Sequence, residues 1–230
     1  MLVLQNVTVV YPDRTKAVDD VGFTLSEGEN MALIGENGAG KTSLLLAVVG
    51  VLELSGGTIE IDGVKLGKKT LGEVRKKIGM VFQNPDDQLF MPRIYDDLAF
   101  GCRSHGMSEE ETEARVKETL GRLSIGHLRE RSSLKLSGGE KRMAAVATAL
   151  VMEPSVLMLD EPTAFLDPKA KRALAGALKN LRHPKIIATH DMAFAAEVCD
   201  RVAVLKGGRL VADGGPALFG DEGFLRECGL

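Results

Sequence analysis

The sequence predicts an α/β fold: a mainly parallel central sheet with an antiparallel β addition at the N-terminus. Three observations carry this. Residues 2–10, 21–25 and 58–62 alternate apolar and polar side chains with no helix between the first two. From residue 108 onward, helix-patterned segments take turns with short apolar runs, the pattern of a sheet covered by helices. The 230 residues are 44% hydrophobic, enough for a substantial core.

The elements follow in order. "LVLQNVTVV" (2–10) and the alternation at 21–25 read as strands, and "NMALIG" (30–35) as another, leading through a glycine-rich loop into an apolar helix, "SLLLAVVG". "TIEID" (58–62) sits between Gly57 and Gly63 as a further strand, and "IGMVF" (78–82) as the next. Ser108 to Glu111, "SEEE", form a capping box that opens a helix with Val116, Leu120 and Leu123 on one face. A helix over Gly139 to Met152 stops before Pro154, and "SVLMLD" (155–160) reads as a buried strand. A further helix, the strand "KIIAT" (185–189) and a pair of short strands near 201–213 complete the chain.

Composition narrows the function classes. A formal net charge of -3 gives no overall footprint for nucleic acid, and the basic run from Lys65 to Lys77 is interrupted by Glu73 and reads as a solvated face. Cys102, Cys199 and Cys228 are odd in number, far apart and in no metal-ligand spacing, as expected of reduced thiols in a cytosolic protein. The N-terminus lacks the pattern of a cleaved leader, and the longest mainly apolar run, Met143 to Met152, is far short of a bilayer span. The expectation is a soluble chain, which would need another chain to cross any membrane it serves. No internal repeat or low-complexity tract is visible.

The chemistry concentrates in four places. Gly35-Glu36-Asn37-Gly38-Ala39-Gly40-Lys41-Thr42, followed by Ser43, is the pattern G-x-x-x-x-G-K-[ST] in its strand–loop–helix setting. Its glycines let main-chain N–H groups line an anion, the helix N-terminus adds partial positive charge, Lys41 can reach β- and γ-phosphates, and Thr42 can hold Mg²⁺. This chain is expected to bind a nucleoside triphosphate. The strand ending at Asp160 supplies a second Mg²⁺ ligand, and Glu161 beside it a carboxylate able to polarise a water at the γ-phosphate. "LSGGE" (136–140) is another cluster of backbone donors at a helix start: Ser137, Gly138, Gly139 and Glu140. One nucleotide seldom needs two anion cradles in one chain, so the second is expected to close over ATP held by a partner. The fourth place is "FQNPDDQLF" (82–90), where acidic Asp86 and Asp87 adjoin Leu89 and Phe90, as in a surface that docks a partner helix.

These motifs, in this order over almost the whole chain, resemble the ATP-binding cassette (ABC) ATPases. The resemblance implies a P-loop NTPase core with a helical subdomain, approximately residues 90–150, that carries the signature Ser137–Glu140, the whole of 1–230 forming one cassette. It implies that Tyr11 stacks on adenine, that Gln83 senses Mg²⁺ and the γ-phosphate, that His190 is the switch histidine at the γ-phosphate, and that "EPTAFLDP" (161–168), with Asp167, crosses to the partner. Phe165 departs from the glycine common at its position. The glutamine loop "FQNPDDQLF", with "GEKRMAAVATALVMEP" and "ATHDMAFAAEVCDR", is similar to that of cobalt, nickel and vitamin importers of the energy-coupling-factor type. That resemblance implies ATP and Mg²⁺ as cofactors, a second cassette as partner (identical or a paralogue), a transmembrane coupling subunit and a substrate-binding membrane subunit, and a place on the cytoplasmic face of the membrane. It also leaves open another ABC importer, for a vitamin or other small solute, and a soluble non-transport ABC ATPase.

Overall fold

The first 65 residues build an antiparallel layer and the first central strand. In the computed structural model, which describes residues 1–229 (Glu222 by its backbone alone), β1 (Leu2–Val10) pairs with β2 (Lys16–Leu25) on one side and β4 (Gly56–Ile61) on the other, and β5 (Val64–Lys65) extends the edge. β2 begins five residues earlier than the alternation suggests because its first half is irregular. Asn6 and Asp20 both take left-handed backbone (φ 51° and 58°), and the Asn6 amide donates to the Asp20 carboxylate at 2.8 Å. The β1–β2 register shifts on both sides of Val7, which scrambles a period-two reading there.

The central sheet holds β3 (Asn30–Ile34), β6 (Ile78–Val81), β7 (Val156–Asp160), β8 (Lys185–Thr189), β9 (Arg201–Lys206) and β10 (Arg209–Gly214) in the order β10-β9-β3-β8-β7-β6. All neighbours are parallel except the β9–β10 hairpin. Every residue of β7 and β8 is buried, so these strands read as continuous apolar runs. In β3 successive side chains serve opposite faces: Ala32 and Ile34 enter one core, Met31 and Leu33 the other. The second core joins the antiparallel layer to α1 (Lys41–Val48), with Leu44, Leu45 and Val48 packed against Val7, Val21 and Ile59.

The first core lies under the helices. Between β6 and β7 the chain makes α3 (Ile94–Ser104), α4 (Glu109–Arg122) and α5 (Gly138–Leu150), then returns so that Ile78 of β6 lies beside Val156 of β7. The Ser108–Glu111 capping box forms as expected, and a second one forms at Ser137–Glu140, each cap stabilising its helix by about 1 kcal/mol. Val116, Leu120 and Leu123 are buried in this core. α6 (Pro168–Lys179) and α7 (Met192–Val198) cover the same face, α2 (Leu71–Lys76) precedes β6, and α8 (Glu222–Glu227) closes the described chain. Helices α2, α3, α7 and α8 have no counterpart in the sequence reading. Three are only six or seven residues long, and α3 carries Gly101 within its apolar face. Cys102, Cys199 and Cys228 are free and buried. Among the described residues, no helix is long and apolar enough to cross a membrane.

Candidate active site

The C-terminal ends of β3, β7 and β8 converge on a cavity of about 660 Å³ lined by Tyr11, residues 37–43, Gln83, Glu161 and His190. Open parallel sheets bind ligands at this edge, beyond the strand ends. The loop from β3 reaches α1 through Gly40, whose φ of 103° suits glycine, and an added Cβ there would lie 2.3 Å from the Ala17 carbonyl oxygen. The backbone N–H groups of the first turn of α1 therefore stand free at the cavity wall, a ready anion site.

Lys41 is 6% exposed, and its ammonium donates to the carbonyls of Gly35 (2.7 Å) and Glu36 (3.2 Å). It also lies 3.6 Å from Glu161 Oε1. The Thr42 hydroxyl donates to Asp160 Oδ2 at 2.8 Å, while Asp160 Oδ1 is buried without a protein partner. Burial pushes the Asp160 carboxyl up, against the opposing pull of the Thr42 hydrogen bond. A hydroxyl and a half-unpaired carboxylate at one point form a hard-oxygen donor set of the kind Mg²⁺ takes. Ser43 shares a 2.8 Å hydrogen bond with the Tyr11 hydroxyl, which holds the ring at the cavity rim.

Glu161 follows β7 in left-handed backbone (φ 42°), a conformation costing of order 1–3 kcal/mol for a non-glycine residue. Its amide donates to the Ala188 carbonyl. Its carboxylate accepts from the Thr189 hydroxyl (3.3 Å) and the His190 amide (3.4 Å), and His190 Nδ1 lies 2.9 Å from Oε2. A carboxylate placed between a lysine and a histidine at the mouth of a phosphate cradle can orient a water for attack on phosphorus.

None of Ser137, Gly138, Gly139 and Glu140 lines this cavity. They form the start of α5, where Glu140 accepts from the Ser137 amide and hydroxyl at 2.8 Å each and from Arg131 at 3.3 Å. These bonds hold the Glu140 carboxyl below the usual glutamate value. Gly139 packs against α6, where an added Cβ would come within 2.8 Å of Ala170 Cβ. Beside it run residues 161–168: Asp167 caps α6 by accepting from the Ala170 amide, and Phe165 stands 94% exposed with φ 61°.

Thr15, Lys16, Ala17, Gly207 and Gly208 also line the cavity and escaped the sequence reading. Gly207-Gly208 between two apolar runs is a hairpin signal, but nothing local says that its turn reaches the phosphate loop, where the Gly208 amide donates to the Ala39 carbonyl. In the 82–90 segment, Leu89 is buried and Asp86 pairs with Lys141 at 2.6 Å, whereas Phe90 (64% exposed) stacks edge-on against the half-exposed Phe100, with centroids 5.6 Å apart.

Comparison with known proteins places the chain in a family. Residues 18–164 match the family described as ABC transporter. The energy-coupling factor transporter ATP-binding protein EcfA of Carboxydothermus hydrogenoformans is 40% identical over 230 residues, 99% of this chain and 85% of that one. The cobalt import ATP-binding protein CbiO of Rhodobacter capsulatus is 41% identical over 236 residues, 100% of this chain and 84% of that one. The structure of cbiO1 from Clostridium perfringens, part of the ABC transporter complex cbiONQ, superposes with a TM-score of 0.88 at 37% identity, covering 98% of this chain and 93% of that one. The dimeric structure of the bacterial ABC transporter cassette MJ0796 gives a TM-score of 0.83 at 27% identity, with 94% and 99% covered. The chain therefore belongs to the ABC transporter family, as one of its ATP-binding, ATP-hydrolysing cassettes.

Proposed function

We propose that this cassette energises an importer of the energy-coupling-factor type, with cobalt or nickel ions as cargo. One observation carries the mechanism: Lys41, Thr42, Gln83, Glu161 and His190 meet around one cavity, and the signature lies outside it. A second cassette, a copy or a paralogue, brings its own Ser137–Glu140 equivalent to that cavity, as the dimeric form of the MJ0796 relative supports. The names of the EcfA and CbiO relatives support the importer class and the cargo.

In this reading the backbone amides of residues 38–42 hold the phosphates and Tyr11 meets the adenine. Thr42 and Asp160 would hold Mg²⁺, with Gln83 beside it, and the ion supplies charge neutralisation to the phosphates. Lys41 leaves the carbonyls of Gly35 and Glu36 for the γ-phosphate. That move takes its charge away from Glu161, whose Oε1 is then free to accept the proton of an attacking water. His190 keeps Glu161 Oε2 in place through the 2.9 Å contact. The exposed Phe90–Phe100 pair, flanked by Asp86 and Asp87, offers a transmembrane coupling subunit an apolar foothold on the cytoplasmic face of the membrane.

The test is purification of the chain with its membrane subunits, followed by ATP-driven uptake in vesicles. Cobalt or nickel uptake that stops when Glu161 is replaced by Gln supports the proposal. Uptake of a vitamin and of neither metal would remove the cargo assignment and leave the importer class standing. Absence of any co-purifying membrane subunit would remove both.

A further inference from the structure

Thr189 ends β8 beside Ile34 of β3 and is fully buried, at 0% exposure. Its hydroxyl has two partners. It accepts from the Asp191 amide at 3.0 Å and donates to Glu161 Oε2 at 3.3 Å. A hydroxyl turns its single proton to suit its neighbours, and here the amide takes the accepting side of the oxygen, so the proton goes to the carboxylate. The amide is itself held in place. The Asp191 carboxylate caps α7 by accepting from the Phe194 amide at 3.1 Å, and it pairs with Lys171 of α6.

The two oxygens of Glu161 are held unequally. Oε2 receives the Thr189 hydroxyl, the His190 amide at 3.4 Å and His190 Nδ1 at 2.9 Å. Oε1 has Lys41 at 3.6 Å. Of the two side chains on Oε2, the histidine is 62% exposed and the threonine is buried, so the threonine is the fixed support. Glu161 needs one, because its left-handed backbone (φ 42°) is an uncommon platform for a non-glycine side chain. A small error in the angle of the carboxylate takes the water it holds out of line with phosphorus.

We propose that Thr189 is a positioning residue for ATP hydrolysis: its hydroxyl pins Oε2 of Glu161 and so keeps Oε1 turned to the water that attacks the γ-phosphate. The inference rests on the reading of Glu161 as the base, and it names the group that aims it. Thr189 is not among the residues that line the cavity, so it acts through Glu161 and leaves ATP affinity alone.

Two variants test it. Thr189→Val keeps the shape of the side chain and removes the hydroxyl, and Thr189→Ser keeps the hydroxyl and removes the methyl. Steady-state ATP turnover of the full chain paired with its partner cassette is measured for both and for Glu161→Gln. Single-turnover hydrolysis is then compared for Glu161→Gln with and without Thr189→Val. Thr189→Val is expected to lower kcat about tenfold with KM for ATP changed by less than about threefold. Thr189→Ser should stay within about threefold of wild type. On the Glu161→Gln background, Thr189→Val should cost no more than about a further twofold, because no base is left to aim. A merely structural threonine would lower Tm and leave kcat unchanged at temperatures well below it, and that result overturns the proposal. So does a serine variant as slow as the valine one, or losses that multiply in the double variant. If Thr189→Val does not fold, Thr189→Cys, with a weak S–H donor of similar size, takes its place and is read by the same criteria. Near-wild-type hydrolysis by Glu161→Gln would remove the reading of Glu161 and this proposal together. A crippled Glu161→Gln beside an unaffected Thr189→Val would remove this proposal alone.

Discussion

Replacing Asp160 by Asn should make the nucleotide-free protein more stable and its response to Mg²⁺ weaker. Asp160 is 3% exposed at the end of β7, and only one of its oxygens has a partner, the Thr42 hydroxyl at 2.8 Å. Burial is the largest influence on its carboxyl and opposes the charge, while Lys41 and Arg142 favour it less strongly. Asn has the same shape, still accepts from Thr42, and carries no charge into the interior. Removing an unpaired buried charge should return about 1–3 kcal/mol. For a chain of this size each kcal/mol is worth about 2–4 °C in Tm, so the variant should melt about 2–12 °C higher. Scanning calorimetry in EDTA, without nucleotide, measures this directly. ATP with EDTA should raise Tm equally in both proteins, since the phosphate loop is untouched. Adding Mg²⁺ should give a further rise only in the wild type, following RT ln(1 + [L]/Kd), which is about 2.7 kcal/mol at a hundredfold excess over Kd. A variant that melts below wild type in EDTA would mean that the carboxylate is a satisfied structural group. Equal Mg²⁺ increments would mean that it is no metal ligand. Either result refutes the reasoning.

Other substitutions probe the remaining parts. Glu161→Gln should keep ATP binding by titration, lower turnover by about two to four orders of magnitude and favour an ATP-bound dimer in light scattering; near-wild-type hydrolysis would remove Glu161 as the base. Lys41→Ala should weaken ATP binding itself. Mixing that variant with Ser137→Arg should restore one intact composite site per heterodimer, and activity absent from both parents but present in the mixture is the expected readout. Phe165→Gly should leave the stability of the isolated chain unchanged or raised by about 1 kcal/mol, because the ring is 94% exposed and the left-handed strain disappears; a large destabilisation in denaturant melts would show that the ring packs on its own chain. Glu140 has its carboxyl held low by the Ser137 amide and hydroxyl, so the stability it adds is present above the ordinary glutamate value of 4.5 and lost as pH falls through the lower folded-state value. Tm measured against pH for wild type and Glu140→Gln should therefore converge in acid.

Legibility followed the range of the interaction. The phosphate loop and Asp160-Glu161 could be read because each sits at the end of an apolar strand, whereas His190 came only with the family resemblance; parallel pairing brings those strand ends together in register, Ile34 beside Thr189 and Asp160 beside Ala188. The Ser108–Glu111 capping box was visible because Ser and Glu need only three residues of chain to meet, while the second box, at Ser137–Glu140, was read only as a set of backbone donors at a helix start. The start of β2 was not, since two left-handed residues, Asn6 and Asp20, break the alternation from both strands at once. Lys16, Ala17 and Gly208 reach the cavity through a contact between the antiparallel layer and the last hairpin, and no local period records that contact. Arg142 is the clearest instance. The helix expected over Gly139 to Met152 gave Arg142 no role, and only the return of the 82–91 segment over α5 buries it.

Three costly features lie together at one edge of the sheet, and their placement bears on how the cassette works. Asp160 carries an unpaired oxygen, Glu161 is held left-handed, and Phe165 is both left-handed and exposed, all within residues 160–165 at the end of a strand that is buried along its whole length. Such strain persists only where the surroundings over-determine it. Here β7 is gripped by β6 and β8 in parallel register, and the Glu161 amide is tied to Ala188 across that grip. The glutamine loop lies at the same edge but is held chiefly from the helical side, by Arg142 of α5 and Asp97 of α3, while its own Gln88 bonds both α5 and the Met80 carbonyl of β6. Two supports of different origin therefore meet at one cavity. The sheet presents Glu161 in a fixed pose, and the helical insertion presents Gln83 in a pose that follows α5. In the proposed site the water-orienting carboxylate therefore rests on the sheet and the glutamine chiefly on the helices, so a substitution that disturbs α5 should reach Gln83 before it reaches Glu161.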